Sequence, residues 1–187
     1  MELWDVYDEN RKPLGYTVKR EKFDSLNNEY HIVVHIWIKN SKGEYLIQKR
    51  SSNKKEGLKW AWTGGSVLMG ENSIDGAVRE VKEETGFELT SHHVSSIKKV
   101  SSSVYNENKI SFFELSLDKN DFNLLLSKQH LAEHYLTEGH LMTVHFINYE
   151  HMPSFNNFIQ NNFSATAKNE IYQLISHLNW TEKYNLI

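Results

Sequence analysis

The sequence predicts a single α/β domain, and three features support this fold class. Segments rich in β-branched and aromatic residues lie before and after an amphipathic helical stretch at residues 74–85. A second apolar stripe with helical spacing lies near the C-terminus. The 187 residues can fill one core, and the scattered prolines and glycines form no linker or repeat. We therefore expect one continuous domain over residues 1–187.

Three pairs of strands and one further strand are predicted, with the first pair packing on the edge of the main sheet. Residues 1–29 carry apolar runs on either side of the turn-forming stretch DENRKPLG, which predicts an N-terminal hairpin. Residues 30–50 combine a β-branched and aromatic run, a turn at residues 40–43 and the alternating stretch EYLIQKR, which predicts a central hairpin. Residues 93–117 predict two strands around a polar turn, and HLMTVHFINYE predicts another strand.

Two helices are predicted. Asn72 or Ser73 can cap the first, Gly86 fits the left-handed position after its end, and no proline interrupts residues 74–85. Its apolar stripe is formed by Ile74, Ala77, Val78 and Val81. The second helix is predicted over residues 165–184, where apolar residues at helical spacing are Ile171, Leu174, Ile175 and Leu178.

Composition and charge exclude several classes of function. A formal net charge of −3 argues against a broadly basic surface for nucleic acid. The absence of cysteine excludes disulfides, thiolate zinc sites and a thiol nucleophile. The first residues are charged, and no apolar run reaches the roughly 18 residues of a membrane span. We expect a cytoplasmic protein with no membrane partner; whether it forms a homodimer is left open.

The segment GGSVLMGENSIDGAVREVKEETGF, residues 64–87, places carboxylates on one helix face. Glu80, Glu83 and Glu84 stand at i, i+3 and i+4, beside the apolar stripe. Like charges at this spacing repel, and a divalent cation would reverse the sign of the interaction. Because oxygen ligands suit hard ions, we expect Mg²⁺ or Mn²⁺. The alternative is the solvated face of an ordinary amphipathic helix.

The spacing of the fixed residues favours the functional interpretation. Five residues separate Gly65 from Glu71, and seven more precede Arg79 and Glu80. The pattern then continues as Val81, Glu83, Glu84, Gly86 and Phe87 with one residue between Val81 and Glu83 and one between Glu84 and Gly86. This order resembles the Nudix box at each fixed position, and composition gives a chance match of about one in a million.

Resemblance to the Nudix hydrolases implies an α/β/α sandwich with a mixed β-sheet, in which a loop-helix-loop motif presents the box. It also implies hydrolysis of a diphosphate bond in a nucleoside diphosphate linked to another moiety, or in a related small diphosphate. The implied metal ligands are the carboxylates of Glu80, Glu83 and Glu84 and the carbonyl of Gly64. Glu83 or Glu80 is the implied general base, and Arg79 and Glu71 are implied to orient them.

The resemblance also bears on substrate binding. Gly64 and Gly65 allow the backbone to approach a phosphate or a metal closely. A basic cluster leads into this loop, and its members are Lys49, Arg50, Lys54, Lys55 and Lys59. From it we expect Arg50 and Lys55 to hold the distal phosphate, the alternative being solvated turn charge. A glutamate outside the box often contributes in this family, and the candidates here are Glu114, Glu133 and Glu138.

Residues 3–87 resemble more closely the branch that includes isopentenyl-diphosphate isomerase and its hydrolase relatives. The isomerases need a catalytic cysteine before the box and a nearby metal-binding histidine, and alignment puts Gly64 and Ser66 at those positions. His31 lies where the isomerases place a metal ligand, although a packed histidine on a strand is the alternative. We expect a hydrolase on an isomerase-like scaffold. The alternatives are an isomerase-like enzyme and a catalytically inactive binding module.

Overall fold

A central strand, β3 (His31–Lys39), organises the fold. The computed structural model describes residues 2–25, 28–42, 45–50, 52, 56–105, 108–128, 143–147, 161–165 and 167–168. β3 pairs in parallel with β8 (Asn108–Ser116) along its whole length, from His31 opposite Asn108 to Lys39 opposite Ser116. Its valines and isoleucines suit a strand that is buried on both faces.

The main sheet is mixed, because this parallel pair lies among antiparallel ones. The strand order is β5-β4-β3-β8-β7, with β6 also paired to β3 and β9 to β4. The remaining strands of this sheet are β4 (Tyr45–Lys49), β5 (Trp60–Ala61), β6 (Thr63–Ser66), β7 (Lys98–Tyr105) and β9 (Thr143–Ile147). Strands β1 (Leu3–Tyr7) and β2 (Pro13–Lys19) form a separate antiparallel pair, followed by a 3-10 helix at Arg20–Ser25.

One face of the sheet is covered by α1 (Ser73–Thr85) and α3 (Lys119–Lys128). A short helix, α2 (Ser91–Ser96), lies between them in the chain. The side chains that form this core are Ile32, Val34, Ile36, Ile38, Leu46, Val67, Ala77, Val81, Phe87, Phe113, Leu115, Leu117 and Leu125. Because α1 contributes Ala77 and Val81 to this cluster, the apolar stripe holds the helix against the sheet.

The opposite face of the sheet carries an aromatic cluster. Trp37 lies on this face because neighbouring residues of a strand alternate between the two faces. Its ring centroid is 6.5 Å from that of Trp62, which lies 6.4 Å from each of Tyr45 and Phe163. Phe163 belongs to the described residues 161–165, so these residues lie against the second face. The predicted α/β fold with a mixed sheet between two outer layers is confirmed.

Three of the predicted elements differ from the structure or extend past its described part. Residues 93–96, predicted as the start of a strand, belong to α2 because Thr90 caps this helix and shares a capping box with His93. Residues 166 and 169–184 of the predicted C-terminal helix lie outside the described residues, and so do residues 140–142 and 148–150 of the predicted strand HLMTVHFINYE. In the described part of the chain, no helix has both the length and the apolar character that crossing a bilayer requires.

The N-terminal strand pair packs against β3 through His31. The ring of His31 stacks on Trp4 with a centroid distance of 4.0 Å and an angle of 8°, and it meets the edge of Phe23 at 4.5 Å. Its Nε2 atom lies 3.2 Å from Ser66 Oγ. Burial, with a smaller effect of the Arg20 charge, lowers the pKa of His31 from 6.5 to about 4. His31 is therefore a packed, neutral histidine.

We predict that His31 makes the stability of the protein sensitive to mild acid. Its pKa is lower when folded, so the unfolded chain binds more protons between pH 6.5 and about 4. Its contribution is complete above pH 6.5 and is lost as the pH falls. Between pH 7.5 and pH 5, the parent should lose about 2 kcal/mol more unfolding free energy than His31→Phe in urea titrations. Equal losses in both proteins would contradict this prediction.

Candidate active site

Both ends of α1 are fixed by local hydrogen bonds. The Asn72 side chain accepts hydrogen bonds from the Ile74 and Asp75 amides at 2.8 and 3.1 Å, and Asp75 accepts one from the Asn72 amide at 3.3 Å. At the other end, Gly86 has a φ of 71° and its amide bonds to the Lys82 carbonyl at 2.8 Å. These caps set the first and last residues of the helix and so the direction of its acidic face.

Arg79 lies at the centre of the acidic face. Its Nε donates to Glu71 Oε1 at 2.8 Å, and its Nη1 donates to Glu80 Oε1 at 2.8 Å and to Glu83 Oε2 at 3.0 Å. Its Nη2 donates to the Ser66 carbonyl at 2.7 Å and to Glu71 Oε2 at 3.1 Å. Burial alone would lower the pKa of Arg79, but the bonds to Glu71 and Glu80 raise it above its ordinary value. Arg79 is therefore always charged and ties three carboxylates to the preceding loop.

One carboxyl group of this face is buried, and a second is half-buried. Glu80 is 6% exposed, and burial raises its pKa while Arg79 opposes the rise. Burial also raises the pKa of Glu84 well above its usual range, and the neighbouring Glu80 charge adds to this effect. The hydrogen bonds that Glu84 accepts and the charge of Arg50 act in the opposite direction. The raised pKa values therefore indicate that the negative charge of ionised Glu80 and Glu84 is only partly balanced by the neighbouring arginines.

Glu84 is held by groups on two strands. Its Oε2 accepts hydrogen bonds from the Gly64 amide and from Gln48 Nε2, each at 3.0 Å. Gln48, which is 3% exposed, also donates to Thr63 Oγ1. Sequence reasoning missed Gln48, although alternation in EYLIQKR puts it on the same face of β4 as buried Leu46. A polar side chain at such a position needs a buried partner, and this was the available signal.

Comparison with known proteins bears on this arrangement. The NUDIX domain family model matches residues 29–154. The chain belongs to the Nudix family. An uncharacterised Nudix hydrolase of Listeria monocytogenes is 36% identical over 137 residues, which cover 71% of this chain and 78% of that protein. The branch identified from the sequence is confirmed, since the isopentenyl-diphosphate isomerase of Salmonella heidelberg is 31% identical over 92 residues, covering 46% and 48% of the two chains.

Solved structures support the Nudix fold. A structure from a study of MutT from Aliivibrio salmonicida and Vibrio cholerae matches with a TM-score of 0.51 and 18% identity. The match covers 78% of this chain and 96% of that one. At this identity the likeness supports the fold and nothing finer. The alignment with the Salmonella isomerase spans about half of that enzyme.

The carboxylates of the Nudix box have the chemistry of a hard-cation site. Oxygen donors whose ionised forms are only partly balanced by arginine fit Mg²⁺ or Mn²⁺. Within the described residues, however, no three His, Asp or Glu side chains are arranged to hold a metal ion. Arg79 Nη1 contacts one oxygen of Glu80 and one of Glu83. A cation at this site would therefore compete with Arg79 for these two carboxylates.

Not all of the predicted site residues lie in this cluster. Glu114 accepts hydrogen bonds from Lys39 Nζ at 2.8 Å and from Tyr45 Oη at 3.2 Å, so it belongs to a separate polar group. Arg50 lies close enough for its charge to act on Glu84. Three other predicted residues, Lys55, Glu133 and Glu138, lie outside the described part of the chain.

Gly64 and Gly65 are required by close packing of the Nudix box loop. A Cβ atom on Gly64 would lie 2.2 Å from the Val34 carbonyl oxygen, which is fixed by the pairing of β3 with β6. A Cβ atom on Gly65 would lie 2.4 Å from Glu80 Oε1, at the end of a side chain. The obstacle at position 64 is therefore backbone, and the obstacle at position 65 is a carboxylate.

We predict different outcomes for alanine at these two positions. Gly64→Ala should lower the melting temperature strongly, because the strand backbone cannot move aside. Gly65→Ala should melt within a few degrees of the parent but displace the Glu80 carboxylate, lowering hydrolytic activity by about tenfold or more. Thermal melts and hydrolysis assays on purified variants measure both effects. A fully active Gly65→Ala protein, or a Gly64→Ala protein as stable as the parent, would contradict the roles given to these two glycines.

Proposed function

We propose that the protein is a metal-dependent Nudix hydrolase that cleaves a diphosphate bond in a nucleoside diphosphate linked to another moiety, or in a related small diphosphate. The observation that carries this proposal is the Arg79 cluster, with the buried carboxyl group of Glu80 in it and the half-buried carboxyl group of Glu84 beside it. Burying like charges is costly unless a positive charge accompanies them. A fold that keeps them together is consistent with binding of a cation and its anionic substrate.

Glu80, Glu83 and Glu84 are the proposed ligands of Mg²⁺ or Mn²⁺, and the Gly64 carbonyl is a proposed further ligand. When bound, the ion would neutralise the diphosphate and lower the pKa of a water molecule. Glu83 or Glu80 would take the proton from the attacking water. The water oxygen then forms a bond to one phosphorus atom, and the bond from that phosphorus to the bridging oxygen breaks. Arg79 keeps both candidate bases oriented throughout.

The basic side chains at the end of β4 and in the sequence that follows it support the proposal that this part of the site binds the phosphates of the substrate. Arg50 acts electrostatically on Glu84, and Lys49 Nζ lies 5.8 Å from the centroid of the Trp60 ring. We propose that Arg50, together with Lys55 and the backbone of Gly65, binds the phosphates. A small-molecule substrate fits the net charge of −3 better than a nucleic acid does.

The loop geometry supports hydrolysis over isomerisation. Moving a proton on an allylic carbon requires an acid and a base at fixed positions. In the alignment with the isomerases, Gly64 takes the place of the catalytic cysteine, and the structure leaves no room for a Cβ atom there. A side chain at this position would meet the Val34 carbonyl oxygen and the His35 ring.

We predict that Glu83→Gln abolishes metal-dependent hydrolysis without unfolding the protein. The amide can still accept the Arg79 hydrogen bond but brings no negative charge to the cation. We expect a loss of at least about 100-fold in kcat and a melting temperature close to that of the parent. Phosphate and mononucleotide release should be assayed with Mg²⁺ on nucleoside diphosphates and triphosphates, ADP-ribose, nucleotide sugars, coenzyme A, dinucleoside polyphosphates and isopentenyl diphosphate.

Glu88→Gln is the matched control, because it removes a carboxylate from an exposed ion pair with Lys82 just beyond α1. It should hydrolyse at the parent rate. Millimolar Mg²⁺ or Mn²⁺ should also raise the melting temperature of the parent and of Glu88→Gln more than that of Glu83→Gln. Equal turnover by Glu83→Gln and the parent would refute the assignment. A parent that neither hydrolyses the panel nor responds to the metal would favour a binding module.

We also predict no interconversion of isopentenyl and dimethylallyl diphosphates by the parent or by Gly64→Cys. The parent lacks a thiol. In Gly64→Cys, the Cβ atom should clash with the Val34 carbonyl oxygen, so the variant should be destabilised and its thiol should not reach a substrate. Product analysis by chromatography, with the melting temperature of each protein measured alongside, checks both statements. Detected isomerisation by the parent would move the protein to the isomerase class.

A further inference from the structure

The N-terminal strand pair lies outside the matched family domain, which starts at residue 29. Strand β1 nevertheless contacts the Nudix box directly. The box loop makes a turn at residues 68–71, in which the Glu71 amide donates to the Leu68 carbonyl at 3.0 Å. Gly70, with a φ of 80°, supplies the left-handed conformation of this turn. Because the turn immediately precedes α1, its position affects how the acidic face is presented.

β1 provides acceptors for both central amides of this turn. The Met69 amide donates to the Leu3 carbonyl at 2.8 Å, and the Gly70 amide donates to Asp5 Oδ2 at 2.9 Å. The first of these bonds is between backbone groups and can form with many sequences. The second depends on the Asp5 side chain, so it can be removed by a single substitution.

The turn is connected to the catalytic cluster through Glu71. Glu71 Oε2 accepts a hydrogen bond from the Leu68 amide at 2.9 Å, and both Glu71 oxygens accept from Arg79. Arg79 in turn contacts Glu80 and Glu83. A displacement of the turn therefore changes the position of Glu71, and with it the position of the guanidinium that orients two carboxylates.

β1 is itself fixed against the main sheet. Trp4 and Val6 are buried, and the backbones of Tyr7 and Tyr30 exchange hydrogen bonds at 2.8 and 2.9 Å. From the connection between β1 and β2, Arg11 Nη2 donates to the buried Ser111 Oγ at 2.6 Å. The strand that bonds to the turn is thus anchored at several points to β3 and β8, and it can act as a rigid reference for the turn.

We propose that Asp5 is a positioning residue of the active site. By accepting a hydrogen bond from the Gly70 amide, Asp5 fixes the position of the turn at residues 68–71. Through Glu71 and Arg79, the turn then keeps the Glu80 and Glu83 carboxylates oriented toward the cation. This inference rests on the proposed function for its catalytic consequence. The structural part of it, control of the turn by Asp5, does not depend on which substrate is hydrolysed.

The test compares four full-length variants. Asp5→Ala and Asp5→Val remove the acceptor, the valine keeping high β-propensity in case alanine weakens the strand. Asp5→Asn keeps an acceptor oxygen at the same place. Asp8→Ala is the control. In the described part of the chain, the Asp8 side chain accepts hydrogen bonds only from the Asn10 and Lys12 amides, which lie in the turn between β1 and β2.

Two measurements are made on each protein. Amide exchange followed by NMR should show the Gly70 amide exchanging roughly five- to tenfold faster in Asp5→Ala and Asp5→Val, and at the parent rate in Asp5→Asn and Asp8→Ala. The Mg²⁺ concentration for half-maximal hydrolysis should rise roughly fivefold in the two variants without an acceptor, with kcat reduced and KM for the diphosphate little changed.

The outcomes separate the two proposals. Unchanged Gly70 exchange in Asp5→Ala and Asp5→Val, or equally faster exchange in Asp8→Ala, would overturn the role of Asp5. If the Gly70 amide exchanges faster in Asp5→Ala and Asp5→Val but their Mg²⁺ requirement is unaltered, Asp5 is not a positioning residue of the active site. If the parent hydrolyses nothing in the panel, the proposed function fails, and Mn²⁺ binding measured by calorimetry replaces turnover. Equal Mn²⁺ affinity of the parent and Asp5→Ala would then reject the inference.

Discussion

The rest of the site depends on the hydrogen bonds that the Arg79 guanidinium donates to Glu71, Glu80 and Glu83. A planar group with several donors can satisfy three carboxylates and the Ser66 carbonyl together, which a lysine could not do with the same geometry. Partial burial strengthens each of these interactions and makes each of them costly to break. The loop and the helix of the box are therefore joined by charge as well as by chain connectivity.

Close packing in this region also explains why the box needs two adjacent glycines. β6 approaches β3 so closely at Gly64 that the strand backbone fills the space of a side chain, and Glu80 fills that space at Gly65. Removing the Cβ atoms lets a negatively charged side chain lie directly on a strand. Glycine is therefore required for a different reason at each position, although the two residues are adjacent in the sequence.

Local interactions were the part of the structure that the sequence could predict. The limits of α1, three of the four residues of its predicted apolar stripe and the pairing of Arg79 with Glu83 follow from spacing and capping within one helix. The contacts of Arg79 with Ser66 and of Glu84 with Gln48 depend on the path of distant strands, so no helical period indicates them. The short helix α2 was missed because its capping box uses His93, which is an unusual partner for Thr90. The steric reason for Gly64 is visible only once β6 lies beside β3.

The parallel pairing of β3 with β8 has a consequence for how this site is assembled. The register joins residue 31 to residue 108, so the whole Nudix box lies inside the loop that this pairing closes. Non-local strand pairing of this kind is slow, because the entropy of loop closure is lost before the contacts form. During synthesis, α1 emerges with its carboxylates before β8 is available to complete the sheet. The acidic helix must therefore stay compatible with water until its burial becomes possible, and its exposed positions, such as Lys82, help to meet that requirement.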